Sequence, residues 1–208
     1  MSKVKHVAGI DLGSSTLCVA GIEGGKPTVL VNSEGNRTTP SMMSIKNGER
    51  KVGGPAKRQA VMDPKNTVMF VKRFMGVPYD DPDALKMTKM AAYDVVNENG
   101  KPRIKLDGKN YTPEEISAHY LTYMAKIASD WYGDKVTDVV ITCPAWYNDI
   151  QRNAVKQAGE LAGLNVLRVI NEPTAAILAS DIDVKKKPKI IVVNDLGGKK
   201  YTASALAA

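Results

Sequence analysis

Two short segments of this sequence pair a carboxylate with a glycine turn: Asp11-Leu12-Gly13 and Asp195-Leu196-Gly197. Each closes an apolar run, VAGI before the first and IIVV shortly before the second, that reads as a buried strand. The carboxylate then stands at a strand end. The glycine lets backbone N–H groups approach an anion closely, because no Cβ intervenes. A carboxylate beside a phosphate repels it unless a hydrated Mg²⁺ lies between them. Two such units, each at the end of a strand, point to a phosphate site divided between two parts of the chain. No stretch fits G-x-x-x-x-G-K-[ST], and no dinucleotide fingerprint follows a strand, so neither of those phosphate cradles is present.

Such a site needs elements to hold it. A strand over 4–11, a turn at Gly13-Ser14-Ser15, a return strand over 17–22 and a third strand over 28–32 make a β-meander. Residues 33–78 are turn-rich, with short strands near 41–45 and 51–53 and a short helix after Pro55. Residues 80–111 read as a small α+β insert. It has a helix over 82–90, strands over 93–96 and 103–106, and a hairpin turn at Asp107-Gly108. The clearest helix opens with Thr112 as N-cap, Pro113 in the first helical position and Glu115 completing a capping box. Ile116, Tyr120, Met124, Ile127 and Trp131 give it one apolar face suited to core packing. The remainder alternates: a strand over 138–143, a helix over 149–162 stopped by Gly163, a strand over 166–170, a helix over 172–180 and a strand over 190–195. The last is an unbroken apolar run, which suits a parallel strand buried on both faces. The pattern predicts an α/β class, a mixed sheet with helices against it.

Composition removes several function classes. The chain has 208 residues, 43% hydrophobic and 25% charged, as in an ordinary globular domain. No apolar run approaches the roughly 20 residues needed to span a bilayer, so no membrane role is expected. The net charge of +7 is spread over scattered lysines instead of a stripe with interleaved aromatics, so no nucleic-acid role is expected either. The run Lys185-Lys186-Lys187 before Pro188 reads as a solvated linker. Cys18 and Cys143 lack partners at metal-ligand spacing and read as small buried hydrophobes. The first residues, MSKVKHVAGIDLG, have neither a long apolar stretch nor an Arg-rich, Ser-rich character, which makes a cytoplasmic location the expectation.

VAGIDLGSSTLCVA (7–20) and VVNDLGG (192–198) resemble the two phosphate motifs of the actin-like (ribonuclease H-like) ATPase fold. The segments EGNRTTPS (34–41), GGPAKRQAV (53–61), NTVMFVKRFMG (66–76), VVITCPAWYND (139–149) and VINEPTAAILA (169–179) resemble the heat-shock protein 70 family in particular. The motifs occur in the family's order and cover nearly the whole chain up to Gly198. The resemblance implies a chaperone ATPase active in protein folding and the stress response, with ATP or ADP and Mg²⁺ as cofactors. Asp11 and Asp195 would hold the water shell of Mg²⁺ and help orient the attacking water. Gly13, Ser14, Ser15 and Thr16 would form the first phosphate loop, and Gly197 and Gly198 would belong to the second. Lys72 would reach the γ-phosphate, Glu172 would act in hydrolysis, and Pro144 and Arg152 would relay nucleotide state. Unfolded client proteins and co-chaperones would be partners. Taken one at a time, these positions have plainer readings. Lys72 alone is a surface lysine, Glu172 a helix N-terminal carboxylate, Pro144 a strand terminator and Arg152 a solvated helix residue.

The sequence also departs from the family pattern. Lys199 and Lys200 stand where a third glycine and a threonine are expected, Thr202 replaces an aspartate, and Ser14 and Ser15 replace threonines. By resemblance, residues 1–184 form the first lobe, with an α+β subdomain inserted at about 40–112. Residues 185–208 form a linker and the opening hairpin of a second lobe. The sequence thus reads as truncated after the second phosphate motif, with poor turnover expected alone. A missing lobe or a protein partner would cover the open face. The alternative expectation is a catalytically inactive lobe that serves as a structural or docking module in a larger assembly. A sugar kinase on the same fold is opposed by the heat-shock-type segments outside the phosphate loops.

Overall fold

The computed structural model describes residues 5–180, 190–197 and 201–207. Strand β1 (Val7–Leu12) alternates strictly: Ala8, Ile10 and Leu12 are buried, while Val7, Gly9 and Asp11 face the other way. It pairs antiparallel with β2 (Thr16–Glu23), which in turn pairs with β3 (Lys26–Val29) and with the two-residue β4 (Thr39–Pro40). β3 ends earlier than the expected 28–32. After Leu30 N–H donates to Val19 O at 2.9 Å the chain turns, and the Asn32 side chain accepts from the N–H groups of Glu34 and Asn36 at 3.0 Å each.

A second small sheet joins β5 (Met42–Lys46) to β6 (Glu49–Val52) and β7 (Thr67–Met69), with α1 (Gly54–Met62) between β6 and β7 in the chain. Helix α2 (Pro82–Met90) has the bounds that the sequence implies, with the Asp81 carboxylate capping the N–H groups of Asp83 and Ala84. A third sheet follows, of β8 (Asp94–Glu98), β9 (Lys101–Leu106) and β10 (Lys109–Tyr111). Asp107 and Gly108 both adopt positive φ, 49° and 75°, as the two-residue hairpin turn requires.

Helix α3 (Pro113–Tyr132) begins with the complete capping box. Glu115 N–H donates to Thr112 Oγ1 at 3.0 Å, and Thr112 N–H donates to Glu115 Oε2 at 2.7 Å. Ile116, Tyr120, Met124 and Ile127 are buried as the spacing predicts. Trp131 is not, at 44% exposure. In that last turn it is Tyr132 that reaches the sheet, where its hydroxyl bonds the backbone of Ile22.

Strand β11 (Asp138–Cys143) lies parallel to β1, and β12 (Asn165–Asn171) lies parallel to β11, giving the sheet order β12-β11-β1-β2-β3. Between them runs α4 (Asp149–Leu161), capped by Asn148 and Gln151 and followed by Gly163 at φ 73°. The short α5 (Glu172–Leu178) follows β12 directly. One hydrophobic core runs from Ile10 and Leu17 through α3 to Val155 and out to Ile104 of the third sheet. Cys143 is buried and Cys18 half-buried, and both are free thiols.

The last two strands correct an expectation. β13 (Ile190–Leu196) pairs antiparallel with β14 (Tyr201–Ala207), not as a parallel strand, and Ile190, Val192 and Leu196 are exposed. An apolar run records what a strand could bury, but not what covers it. The lysine run 185–187 and the residues Gly198, Lys199 and Lys200 lie outside the described residues. Among the described residues, no helix is long and apolar enough to cross a membrane.

Candidate functional site

The carboxyl ends of the three parallel strands meet one cleft of about 600 Å³. This is where open α/β sheets bind ligands, since each chain leaves its strand there and the loops diverge. Asp11 comes from β1, Thr142 and Pro144 from the end of β11, and Glu172 from the residue after β12. Gly13, Ser14, Ser15 and Thr16 form the turn between β1 and β2 along one wall. That turn is tight: a Cβ on Gly13 would lie 2.1 Å from the Thr16 carbonyl oxygen. It is also braced from behind. Ser41 Oγ donates to Gly13 O at 2.7 Å, Ser41 N–H donates to Ser15 O at 2.9 Å, and Tyr120 of α3 donates to Ser41 O at 3.2 Å.

Lys72 enters from a 3₁₀ turn, Val71–Phe74, whose Val71 and Phe74 are anchored in the core. The preceding Phe70 has φ 58°, an uncommon conformation for a residue with a side chain, and it turns the chain into the cleft. Lys72 is only 5% exposed, so the plain surface-lysine reading fails. Its Nζ lies 2.6 Å from Glu172 Oε1 and 5.9 Å from the centre of the Tyr147 ring. The ammonium is therefore desolvated but has a carboxylate and a ring face as partners.

Tyr147 ties this pair to the next. Its hydroxyl donates to Lys72 O at 2.8 Å, its N–H donates to Pro144 O at 3.2 Å, and its own carbonyl accepts from Arg152 Nε at 3.1 Å. Burial, followed by the Glu172 charge, pushes the Tyr147 phenol far above its ordinary range, so the group remains a donor. Arg152 also donates through Nη2 to Asn171 Oδ1, at the end of β12. Burial likewise pushes up the Cys143 thiol, against the lowering influence of Arg152 and Lys72.

The far wall is Asp195, Gly197 and Thr202 of the β13–β14 hairpin. The structure thus gathers into one cleft Asp11, the Gly13–Thr16 turn, Lys72, Pro144, Glu172, Asp195 and Gly197. Arg152 stands behind the cleft and reaches it through Tyr147 and Asn171. Sequence reasoning missed Thr142, Tyr147, Asn171 and Phe70. The aromatic pair Trp146-Tyr147 after Pro144 was a usable signal for Tyr147. Thr142 had none, because its place beside Asp11 depends on the pairing of strands far apart in sequence.

A model of the family described as Hsp70 protein matches residues 7–208. The chain belongs to this family. Hsp70 proteins are ATPase-type chaperones that bind ATP or ADP with Mg²⁺, and the mixed sheet with flanking helices is the actin-like ATPase fold. The residues in this Hsp70 cleft fit such a ligand. Three carboxylates (Asp11, Glu172 and Asp195), the hydroxyls of Ser14, Ser15, Thr16, Thr142 and Thr202, and a glycine turn with no room for a Cβ face one space, with Lys72 on its wall. Among the described residues no three His, Cys, Asp or Glu side chains gather to cage a metal. Mg²⁺ keeps several waters and takes one or two carboxylates together with phosphate oxygens, a demand that carboxylates such as Asp11 and Asp195 meet.

Proposed function

We propose that the cleft binds Mg·ATP and that its hydrolysis is coupled to the handling of unfolded client proteins, with co-chaperones as further partners, in the cytoplasm. The observation that carries this reading is the convergence of Asp11, the Gly13–Thr16 turn, the Lys72–Glu172 pair and Asp195 on one cleft. In this reading residues 1–184 are the first lobe, with about 40–112 inserted, and 185–208 open the second.

The nucleotide would supply the phosphoanhydride bond, and Mg²⁺ the charge that neutralises its oxygens. The chain's own residues would do the positioning. Asp11 and Asp195, on opposite walls, would accept hydrogen bonds from the water shell of a bound Mg²⁺. The Gly13–Thr16 amides and hydroxyls would donate to phosphate oxygens, with Gly197 and, by resemblance, Gly198 on the second loop. Lys72 places a desolvated positive charge where negative charge develops, and Glu172 orients Lys72 and accepts from water. This is phosphoryl transfer to water, in which positioning and electrostatics carry the rate. Pro144 and Arg152, joined through Tyr147, would report the state of the cleft to the rest of the molecule.

Calorimetric titration with Mg·ATP, using Asp11→Asn as the control, tests the reading. Micromolar or tighter binding that the substitution abolishes is expected, followed by single-turnover hydrolysis. Absence of binding at millimolar ATP would overturn it. A second reading, a catalytically inactive docking module, is favoured by the exposed Ile190, Val192 and Leu196 of the hairpin and by Leu178. It requires negligible hydrolysis together with a stable protein partner on that face.

A further inference from the structure

We propose that Thr142 is a positioning residue for Asp11: its hydroxyl holds one carboxylate oxygen against the sheet so that the other is presented to the cleft. The inference rests on the nucleotide reading above. β1 and β11 run parallel with Ile10 beside Ile141. Both isoleucines are buried on one face, so Asp11 and Thr142, the next residue of each strand, project together from the other. Thr142 Oγ1 donates to Asp11 Oδ1 at 2.6 Å. A threonine hydroxyl has a single proton to give, and this length is that of a charge-assisted bond to a carboxylate.

On the other flank of Asp11, β2 places Cys18. A thiol is a weak donor and does not compete with the hydroxyl for the carboxylate. Threonine is also the suitable residue for a fixed donor here. It is β-branched and stiff at χ1, and it sits in a strand paired on both sides, by β1 and by β12. The carboxylate is therefore oriented before any ligand arrives, and less ordering remains to be done on binding. A threonine kept only for packing would be replaceable by valine, which has the same shape without the hydroxyl. The two roles thus separate experimentally.

The test uses the full chain with Thr142→Val and Thr142→Ser, each shown by urea unfolding to be folded. Each is titrated with Mg·ATP and, in parallel, with ATP in excess EDTA. Thr142→Val is expected to weaken Mg·ATP binding roughly tenfold, the scale of one hydrogen bond to a charged group. Binding of metal-free ATP should be unchanged, and Thr142→Ser should restore the Mg·ATP affinity. Binding of Mg·ATP by Thr142→Val as tight as by the parent chain overturns the proposal. So do equal losses with and without Mg²⁺, or failure of serine to rescue. A crystal structure of ligand-free Thr142→Val supplies an arm independent of nucleotide. The Asp11 carboxylate is expected to rotate or to occupy more than one orientation, and a single unchanged orientation overturns the positioning role. If the parent chain binds no Mg·ATP, the nucleotide reading falls, and the crystallographic arm decides the positioning alone.

Discussion

Lys72 Nζ lies 2.6 Å from Glu172 Oε1, joining a core-anchored turn to the first residue of α5 across 100 positions of sequence. The lysine is 5% exposed and the glutamate 24%, so the pair is sheltered on one side and open to the cleft on the other. Glu172 is further favoured where it stands, at the positive end of a helix. The pair gives the cleft a cation that is present and oriented without ligand.

Glu172→Gln should therefore lower stability, because it leaves a desolvated ammonium without its counter-ion. A fully buried pair loses 3–5 kcal/mol in this way, and the partial exposure of Glu172 reduces that here to about 2 kcal/mol. The double substitution Lys72→Met/Glu172→Gln should recover part of the loss. Urea unfolding of the four members of the cycle measures the coupling, and additive single losses would show that the two groups do not act as a pair.

Gly13→Ala should disturb the turn itself. The added methyl would lie 2.1 Å from the Thr16 carbonyl oxygen, a backbone atom that cannot swing aside. We expect a stability loss of about 1–3 kcal/mol, as for other overpacked sites, and at least about tenfold weaker Mg·ATP binding. Gly9→Ala in the preceding strand β1 is the control, since there an added Cβ meets nothing closer than 4.0 Å. Calorimetry that finds the two variants alike would refute the crowding argument.

Tyr147→Phe removes one oxygen and keeps the ring. The Lys72 carbonyl then loses its 2.8 Å donor in a buried position, which should cost about 1–3 kcal/mol. The turn that presents Lys72 should loosen as well. Amide hydrogen exchange at residues 71–74 is the sensitive measurement, and protection equal to that of the parent chain would show that the hydroxyl has no anchoring role.

Stability should also depend on pH through His119, half-buried on α3. Burial and then Arg50 hold its pKa below the ordinary 6.5, with Glu115 opposing them. The unfolded chain therefore takes up the proton first. The stabilisation is complete above about pH 6.5 and is lost as pH falls from there through the lower folded value. His119→Gln should flatten the stability profile over that interval, measured as urea midpoints from pH 7.5 down to pH 5. An unchanged slope would assign the pH dependence to other groups.

Much of the local structure was legible in the sequence because its causes are local. The Thr112–Glu115 capping box, the Asp107-Gly108 turn, the bounds of α2 and the strand end at Cys143 each follow from residues within a few positions of one another. The ordered motifs likewise marked Asp11, Lys72, Glu172 and Asp195 as members of one site, although nothing near Lys72 shows that it is buried. Only the tertiary structure decided which side chains touch. Thr142 meets Asp11 because β1 and β11 pair in one register, and a slip of one residue would turn one of them to the opposite face. Lys72 meets Glu172 and Tyr147 because Phe70 turns the chain at positive φ and the core holds Val71 and Phe74. The exposure of Trp131 and of Ile190, Val192 and Leu196 was illegible for the same reason. Local sequence sets backbone conformation and the face a residue can bury, whereas the partner on that face is supplied by segments far along the chain.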